Sequence, residues 1–350
     1  MYKVSYNIDR INSKWDKFNN MSYFIRLNFL KSFITSNKMI KHVFIMNNEL
    51  RLYAQIFNLR LDKLINYSNN SFIIFISKFV KIRVLYLSNT FLTNIPSFSS
   101  DKKINLKSLI NTIKKKYLIL IIPDYLAKEL SHFEKKEYIK IDVEEDMYLE
   151  TRKEWKSIDD YVSDLRAKYR KKIYNIRKNS ADISIVKFNY DEIKSCTKEL
   201  QILFNQIVND SKFSGPDFNI NVIIELLRNK LANVYGYYIN DKLIAFSTEI
   251  SENDYLYSYY VGFDKKINKD RSIYGRILLE TISNAIIQKK SKIIFGRTAN
   301  EYKSNFGAVP KSSSIYVKIN NSIISFLLKK LFMDIKLKKW KQRMPFKKHI

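Results

Sequence analysis

Residues 293–310 read Ile-Ile-Phe-Gly-Arg-Thr-Ala-Asn-Glu-Tyr-Lys-Ser-Asn-Phe-Gly-Ala-Val-Pro, and the interpretation of the chain starts from this stretch. A short apolar run ends at Gly296, and a polar helical turn carrying Tyr302 and Lys303 closes at Gly307. The stretch holds two of only six glycines in 350 residues. A chain that uses glycine so rarely tends to place it where φ is positive or where the backbone closely approaches another group. In isolation the stretch predicts a strand, a turn and a glycine-capped helix.

Length and composition set the class of protein. A chain of 350 residues predicts about two domains, and 46% hydrophobic with 14% aromatic residues is ample for a buried core. The single cysteine, Cys196, excludes an internal disulfide and a cysteine zinc site. Only three histidines occur, far apart in the sequence, which argues against a histidine metal site. We therefore expect a metal-free mechanism in a reducing cytoplasm.

Hydropathy gives no indication of a membrane span. The amino terminus lacks the continuous apolar core of a signal peptide. The most apolar passage, Phe72–Leu87, is interrupted by Lys78, Lys81 and Arg83, so it is too short between charges to cross a bilayer. The sequence therefore predicts a cytoplasmic protein that is soluble or peripheral at the inner face of the membrane.

The formal net charge of +28 indicates attraction to a polyanion. The chain is rich in Lys, Asn, Ile and Tyr together, which is typical of an AT-rich genome and accounts for part of the lysine content. Within the predicted helix Trp155–Ser180, seven basic residues and no acid lie between Arg166 and Lys178. They favour the helix dipole at its carboxyl end, and they equally suit a cradle for phosphates or a membrane surface. Both interpretations stay open.

The first 150 residues mix short apolar runs with polar breaks. Apolar runs bounded by turn-forming residues predict strands at Phe72–Ile76, Val84–Leu87 and Leu118–Ile122. A helical apolar stripe predicts a helix over Asn105–Lys116. An acidic cluster at residues 142–146 is best interpreted as a solvated linker rather than a metal site.

From Trp155 onward the pattern alternates between helical and strand periods, and a basic amphipathic tail follows at Ser322–Lys341. Three successive period-two runs, joined by short polar turns, predict antiparallel strands. The predicted strands are Ile183–Val186, Asn233–Ile239, Leu243–Ile250, Tyr255–Phe263, Lys292–Phe295 and Ser314–Ile319. The predicted helices after residue 180 are Tyr190–Asn209, Asn221–Leu231 and Asp270–Lys289.

This order of elements resembles the GNAT acyltransferase fold. The stretch Ile158–Ile173 resembles the first helix of the BioF2-like (CelD/BcsL-type) acetyltransferase branch, and Phe295-Gly296 with Tyr302-Lys303 is similar to the Gly…Tyr-Lys signature of that branch. The branch is related to the FemABX transferases, which carry two such halves in tandem. The resemblance covers about residues 150–320. It implies an α+β fold with a mixed, mostly antiparallel sheet flanked by helices.

The resemblance also implies a domain organisation. Residues 1–150 would form an amino-terminal α/β half, residues 151–320 the GNAT-like transferase domain, and residues 321–350 a basic amphipathic tail. One feature departs from GNAT enzymes, which hold the coenzyme A pyrophosphate on a glycine-rich loop at a helix amino terminus. Here the segment Asn268–Gly275 occupies that place with one glycine.

The resemblance implies a donor site and several candidate donors. Acyl-CoA, an acyl-carrier protein and aminoacyl-tRNA are the candidate activated donors, the last being the one expected role for nucleic acid. The residues that would bind the donor lie before and within the helix after the third antiparallel strand, and after the next strand. They are Arg271, Ser272, Tyr274, Gly275 and Arg297.

Transfer to an amine needs a base for the ammonium group, donors for the oxyanion and an acid for the leaving group. Glu249 is the candidate base, with a solvent-facing strand residue as its alternative interpretation, and Tyr302 and Lys303 are the other candidate catalytic residues. Lys303 is equally consistent with an ordinary surface lysine. Aromatic side chains of one strand and one loop are the candidate substrate-binding residues. They are Tyr257, Tyr259, Phe213 and Phe218.

These inferences predict an acyltransferase acting on an amine-bearing acceptor. The resemblance favours a cell-envelope, lipid or polysaccharide precursor as that acceptor, with the enzyme docked on an anionic membrane surface by its basic face. The alternative is a non-catalytic basic module that binds RNA or anionic membrane, with the steep salt dependence that such binding shows.

Overall fold

The computed structural model describes residues 2–11, 13–37, 39–59, 82–92, 94–208, 215–322, 325, 337 and 339–347. The chain divides into two compact units. Unit 1 comprises residues 1–144, 212–219 and 312–338, and unit 2 comprises residues 145–211, 220–311 and 339–350. The predicted strand Phe72–Ile76, the aromatic Phe213 and most of the predicted tail Ser322–Lys341 lie outside the described residues.

The sheet of unit 1 has the strand order β1-β2-β3-β4-β6-β13, with β5 beside β3. Its pairs are antiparallel except β4–β6, which is parallel. The strands are β1 (Lys3–Ser5), β2 (Lys41–Met46), β3 (Leu50–Leu59), β4 (Ile82–Tyr86), β5 (Phe98–Ser100), β6 (Ile119–Pro123) and β13 (Val309–Ile319). Strand β13 and strand β7 (Ile139–Glu150) contribute residues to both units.

Helices cover the sheet of unit 1, with short 3-10 turns at Ile8–Arg10 and Tyr23–Ile25. The α-helices are α1 (Leu27–Ser36), α2 (Leu106–Asn111), α3 (Asp124–Ala127) and α4 (His132–Lys135). Helix α2 begins at an Asn105 cap, as predicted, but ends before the predicted Lys116. Its apolar stripe packs on strand residues such as Leu52 and Leu120 in the main core of the unit.

Sequence patterns missed the three strands that begin unit 1. Strand β3 is buried at every position from Leu50 to Phe57, and β2 is buried at four of its six positions. In β2 the apolar run Val43–Met46 carries no alternation for period-two patterning to detect. In β3 the residues Leu50, Leu52, Ala54 and Ile56 do alternate with Arg51, Tyr53 and Gln55, so a strand signal was present there and was overlooked. The acidic cluster at residues 142–146 was also interpreted wrongly as a linker, because it lies within β7 and Asp146 is buried there.

The sheet of unit 2 has the order β7-β12-β11-β10-β9-β8. The pairs with described register are antiparallel except β11–β12, which is parallel. The strands are β8 (Ser184–Lys187), β9 (Asn233–Ile239), β10 (Lys242–Glu252), β11 (Tyr255–Phe263) and β12 (Lys292–Gly296). The predicted bounds of β9 and β11 are confirmed at both ends, and β13 begins five residues earlier than predicted.

Two predicted long helices of unit 2, Trp155–Ser180 and Tyr190–Asn209, are each divided in two. The helices are α5 (Ile158–Asp164), α6 (Ala167–Asn179), α7 (Tyr190–Ser195), α8 (Thr197–Val208), α9 (Asn221–Arg228), α10 (Lys265–Arg271), α11 (Ile273–Ile287) and α12 (Asn300–Ser304). Helix α10, which begins at an Asp264 cap that accepts from two backbone N–H groups, was not predicted. It joins α11 at Ser272, whose φ is +51°.

The break between α5 and α6 has a tertiary cause. Leu165 and Arg166 are extended, with ψ near 150°, and Leu165 pairs as a β-bridge with Phe346. The N–H of Arg166 donates to the carbonyl of Pro345 at 2.8 Å. Leu165 is nonetheless fully buried in the core on which both helices pack, so the apolar spacing continues across the break and a single helix was the natural prediction.

Residues 339–347 form a segment that we term the C-terminal strap. Its Trp340 indole donates to Glu145 at 2.9 Å, and Gln342 donates to the carbonyl of Ala308 at 3.0 Å. The Phe346 ring packs against Trp155 and Tyr161. The strap therefore belongs to the core of unit 2.

A buried polar network in unit 1 connects β2, β3 and the residues after β4. His42 Nδ1 lies 2.6 Å from the Tyr53 hydroxyl, which also accepts from Gln55 Nε2 at 3.0 Å. The Gln55 carbonyl oxygen in turn accepts from the backbone N–H and the hydroxyl of Thr90. His42 is only 7% exposed, and burial lowers its pKa to about 4. The imidazole is therefore neutral in the folded protein at neutral pH.

This depressed pKa predicts acid sensitivity. Since the unfolded imidazole binds protons near pH 6.5 and the folded one only near pH 4, the contribution of His42 is complete above pH 6.5 and is lost as the pH falls to 4. The loss amounts to about 3 kcal/mol of unfolding free energy. A His42→Gln variant should lack this component, and comparison of denaturant unfolding of the two proteins from pH 7 to pH 4 measures it. If the difference in unfolding free energy between the two proteins stayed constant from pH 7 to pH 4, the prediction would be contradicted.

Candidate active site

The parallel strands β11 and β12 diverge. They pair at three positions, Tyr255↔Lys292, Leu256↔Ile293 and Tyr257↔Ile294. Beyond this point β12 ends at Gly296, while β11 continues to Phe263 along β10. The strands therefore separate just after Tyr257, and the backbone of β11 beyond it has no described pairing with β12. Ligands of mixed sheets tend to bind where the carboxyl ends of parallel strands part.

A β-bulge lies at the same level in β11. Ser247 pairs with Val261 and Glu249 with Ser258, so β11 has one more residue than β10 between these pairs. Bulges occur preferentially beside active sites, where they change the direction of side chains and release backbone groups from the ladder. Tyr259 and Tyr260 are the two residues of β11 that lie between these pairs, opposite the single residue Thr248 of β10.

Tyrosine side chains are concentrated around this bulge. Tyr259 and Tyr260 contact each other with ring centroids 4.6 Å apart, and Tyr260 packs edge-on against Phe204 at 5.4 Å. Tyr255 and Tyr257 contact each other at 6.4 Å. Burial raises the pKa of Tyr257, Tyr259 and Tyr260 well above the ordinary tyrosine range. Their hydroxyls are therefore protonated at neutral pH and can act as hydrogen-bond donors.

Glu249 lies opposite Ser258, at the last regular pair before the bulge. It is 1% exposed, which excludes the solvent-facing interpretation. Asn284 of α11 donates to its two carboxyl oxygens at 3.2 and 3.1 Å, so Glu249 faces that helix. Burial raises the pKa of Glu249 to about 7, against the opposing effect of Asn284. A carboxyl group with this pKa can both accept and release a proton near neutral pH.

Sequence reasoning missed Ser258 and Asn284, which lie beside Glu249 across the β10–β11 pair and on α11. A sequence signal for Asn284 was present, since it follows the apolar Ile277 by seven residues and so lies on the same face of the predicted helix. Nothing in the sequence marked Ser258, because its position depends on the register of the bulge.

Lys303 is 3% exposed, so it is not a surface lysine. Its ammonium group donates to the carbonyls of Phe295, Gly296 and Arg297 at 2.8, 3.0 and 2.6 Å. Three of the four residues 296–299 at this turn have positive φ, with values of +68° at Gly296, +66° at Thr298 and +51° at Ala299. A β-branched residue at positive φ is a real outlier. Lys303 holds this turn and the end of β12 in place.

Four of the five predicted donor-binding residues lie where α10 ends and α11 begins. Other residues of the protein contact this helix start closely. A Cβ atom at Gly275 would lie 2.7 Å from the Tyr302 hydroxyl and 2.8 Å from Ile176 Cδ1. The N–H of Tyr274 donates to Asn268 at 2.8 Å. Gly275 therefore provides room for Tyr302 and α6.

Both arginines among the predicted donor-binding residues form ion pairs. Arg271 lies 3.1 Å from Asp182, and Arg297 Nε lies 3.7 Å from a carboxylate oxygen of the buried Asp146. A continuous aromatic row also runs beside the helix start. Ring centroids are 5.6 Å apart for Phe263–Tyr274, 5.4 Å for Tyr274–Tyr302 and 5.6 Å for Tyr302–Phe306.

The predicted site residues thus form two groups in unit 2. Tyr257, Tyr259 and Glu249 lie around the bulge, while Tyr274, Gly275 and Tyr302 meet at the start of α11. Phe218 lies in unit 1, where it packs edge-on against Phe91 at 5.3 Å.

Two further properties concern metals and membranes. Within the described ranges of the chain, no three metal-ligating side chains of His, Cys, Asp or Glu converge on a point. Among the helices that the structure describes, none combines the length and the apolar character needed to cross a bilayer.

Comparison with known proteins establishes the fold. No protein-family model and no curated protein matches the sequence. Among solved structures, FemX matches with a TM-score of 0.54 at 10% identity over 93% of this chain and 100% of that chain. L-PGS from Bacillus licheniformis matches with a TM-score of 0.54 at 11% identity, over 88% and 96% of the two chains. A conserved protein of unknown function from Bacteroides thetaiotaomicron VPI-5482 matches with a TM-score of 0.54 at 14% identity, over 87% of this chain and 93% of that chain.

The class of fold expected from the sequence is therefore confirmed. The chain has a mixed, mostly antiparallel sheet flanked by helices, and its fold is similar to that of FemX and of L-PGS. At identities of 10–14% this likeness concerns the fold, and the chemistry must be argued from the site.

The three carbonyl contacts of Lys303 predict a stability role that can be measured. A Lys303→Met variant keeps the length of the side chain but leaves three carbonyls at the end of β12 without their donor. We expect unit 2 to lose about 2–4 kcal/mol of unfolding free energy, measured by denaturant unfolding. The exposed Lys289, changed in the same way, is the control. Equal stability of the two variants would contradict this role.

The raised pKa of Glu249 predicts the opposite pH dependence from that of His42. The folded carboxyl group binds its proton up to about pH 7 and the unfolded one only to about pH 4.5. Its favourable contribution is therefore complete below pH 4.5 and is lost as the pH rises through 7. Glu249→Gln should be more stable than the natural protein by up to about 3 kcal/mol at pH 8 and equally stable at pH 4.5. If Glu249→Gln were less stable than the natural protein at pH 8, burial of a charged carboxylate at this position would not be unfavourable, and the prediction would be wrong.

Proposed function

We propose that this protein is an acyltransferase that moves an acyl or aminoacyl group from an activated donor to the amine of an acceptor. The observation that carries the proposal is the coincidence of three features at one level of unit 2. Strands β11 and β12 diverge there, β11 bulges, and the buried carboxyl group of Glu249 lies at the bulge. The fold shared with FemX is consistent with this reaction class.

In this proposal Glu249 is the general base. Its pKa of about 7 lets it take a proton from the acceptor ammonium group, so that the free amine attacks the acyl carbonyl carbon. Asn284 orients the carboxyl group. Backbone N–H groups released at the bulge, with the Ser258 hydroxyl, are the candidate donors to the tetrahedral oxyanion. The protonated hydroxyl of Tyr259 or Tyr302 is the candidate acid for the leaving group of the donor.

Lys303 and the donor-site residues have supporting roles in this scheme. Lys303 acts by positioning the turn after β12, since its ammonium protons are directed at carbonyls. Because Tyr302 and Ile176 surround Gly275, the start of α11 offers less room for a coenzyme A pyrophosphate than a glycine-rich loop does. Among the candidate donors we therefore favour aminoacyl-tRNA over acyl-CoA or an acyl-carrier protein, which also suits the net charge of +28.

The acceptor belongs to the same proposal. We favour an amine-bearing precursor of the cell envelope, of a lipid or of a polysaccharide, met at an anionic membrane surface on the cytoplasmic side. Support comes from α6, whose basic residues Lys168, Lys171 and Lys178 are exposed and which carries no acid. The same face supports the second candidate function, a non-catalytic module that binds RNA or anionic membrane.

The test is transfer of a labelled acyl group to a mixed set of amines, followed by mass spectrometry, with aminoacyl-tRNA, acyl-carrier protein and CoA thioesters as donors. Glu249→Gln should lower kcat by a factor of 10²–10⁴, the usual contribution of a general base, without loss of stability. Glu252→Gln on the same strand is the matched control. Unchanged turnover in Glu249→Gln would remove Glu249 from the mechanism. Binding of RNA or vesicles with no turnover of any donor would favour the non-catalytic module.

A further inference from the structure

Lys172 of α6 is a half-buried cation beside the aromatic row. Its ammonium nitrogen lies 4.8 Å from the centroid of the Tyr302 ring. It is one helical turn before Ile176, the residue that packs on Gly275 at the start of α11. In the part of the chain that the structure describes, no carboxylate lies within ion-pairing distance of Lys172.

A second cation reaches the same place from the C-terminal strap. The N–H of Arg343 donates to the Ser304 hydroxyl at 3.1 Å, and its guanidinium forms an ion pair with Glu301. Arg343 and Glu301 both act electrostatically on Lys172, as does Lys168, one turn earlier on α6. The charges that act on Lys172 are thus two cations and one carboxylate, and that carboxylate is already ion-paired with Arg343.

An anion would relieve the electrostatics around Lys172. Burial lowers the pKa of Lys172, and the positive charges of Arg343 and Lys168 lower it further, while Glu301 opposes the shift. An anionic group placed between the cations would raise that pKa again. Purely structural lysines relieve such strain by pairing or by extending into water.

We propose that Lys172, Arg343 and Lys168 form a binding subsite for a phosphate group of the activated donor. This inference rests on the proposed acyl transfer and names where the donor is held. Arginine binds phosphate through two parallel N–H donors, and lysine adds a point charge. The subsite uses side-chain cations from α6 and the strap, in place of the backbone N–H groups at the start of α11 that Tyr302 and Asn268 approach.

The phosphate group can belong to a nucleic-acid donor or to a coenzyme A donor, and three probes distinguish these two sources. The probes are 3′,5′-ADP, a short single-stranded RNA ending in CCA, and inorganic phosphate, each titrated by calorimetry into the full chain at several salt concentrations. Preference for the RNA identifies a nucleic-acid donor, and preference for 3′,5′-ADP identifies a coenzyme A donor. Failure of all three probes to bind at low salt would overturn the proposal.

Variants assign the binding to the named residues. Lys172→Gln should weaken binding of the preferred probe about tenfold, as expected for one charge-assisted contact, and should lower the salt slope by about 0.7 if that probe is RNA. Lys172→Arg should restore most of the affinity. Lys198→Gln, at an exposed lysine of α8 with no role in the proposal, is the matched control and should change affinity less than twofold. Equal losses in the Lys172→Gln and Lys198→Gln variants would refute the subsite.

Glu301→Gln gives an independent test, since it releases Arg343 from its ion pair. The proposal expects tighter probe binding in this variant, and weaker binding would contradict it. Melting temperatures of all variants report whether unit 2 is intact. Because these are binding measurements, intact probe binding without any acyl transfer would refute the proposed function and leave the phosphate subsite standing.

Discussion

The arrangement of unit 2 depends on one buried cation. The ammonium group of Lys303 donates to three successive carbonyls at the end of β12, where the chain adopts positive φ at Gly296 and Thr298. A strand end of this kind would otherwise bury acceptors without donors, at a cost of about 1–3 kcal/mol each. With the turn held, α12 follows directly, and Tyr302 reaches the start of α11.

Close packing at two glycines connects this turn to distant parts of the sequence. The absence of a Cβ atom at Gly275 admits the Tyr302 hydroxyl, and its absence at Gly307 admits Phe346 of the strap, which would otherwise lie 2.2 Å from it. Gly307 also has a φ of +90°, which side chains rarely adopt. Two of six glycines thus join the stretch at residues 293–310 to α11 and to the C-terminal strap. The walls of the candidate site come from segments more than 100 residues apart.

The two groups of candidate site residues, at the β11 bulge and near α12, differ in their electrostatics. Glu249 is enclosed by the sheet and α11, and desolvation keeps it near the protonation midpoint at neutral pH. Near α12, Lys172 and Arg343 concentrate positive charge around a single carboxylate of Glu301. A proton-transferring group and an anion-binding group on one unit are the components that transfer from a phosphate-bearing donor requires. This division of roles is our hypothesis.

The sequence by itself determined most of the elements after Trp155 and the bounds of β9 and β11, because those segments carry clean helical and strand periodicities. The class of fold was expected from a resemblance to a known family. The sequence also singled out Glu249, Tyr302 and Lys303. Only the tertiary structure decided their surroundings: the burial of Glu249 under α11, the three carbonyls around Lys303 and the break at Leu165–Arg166. Contacts between residues far apart in the chain follow from register, bulges and packing, and local sequence patterns do not encode them.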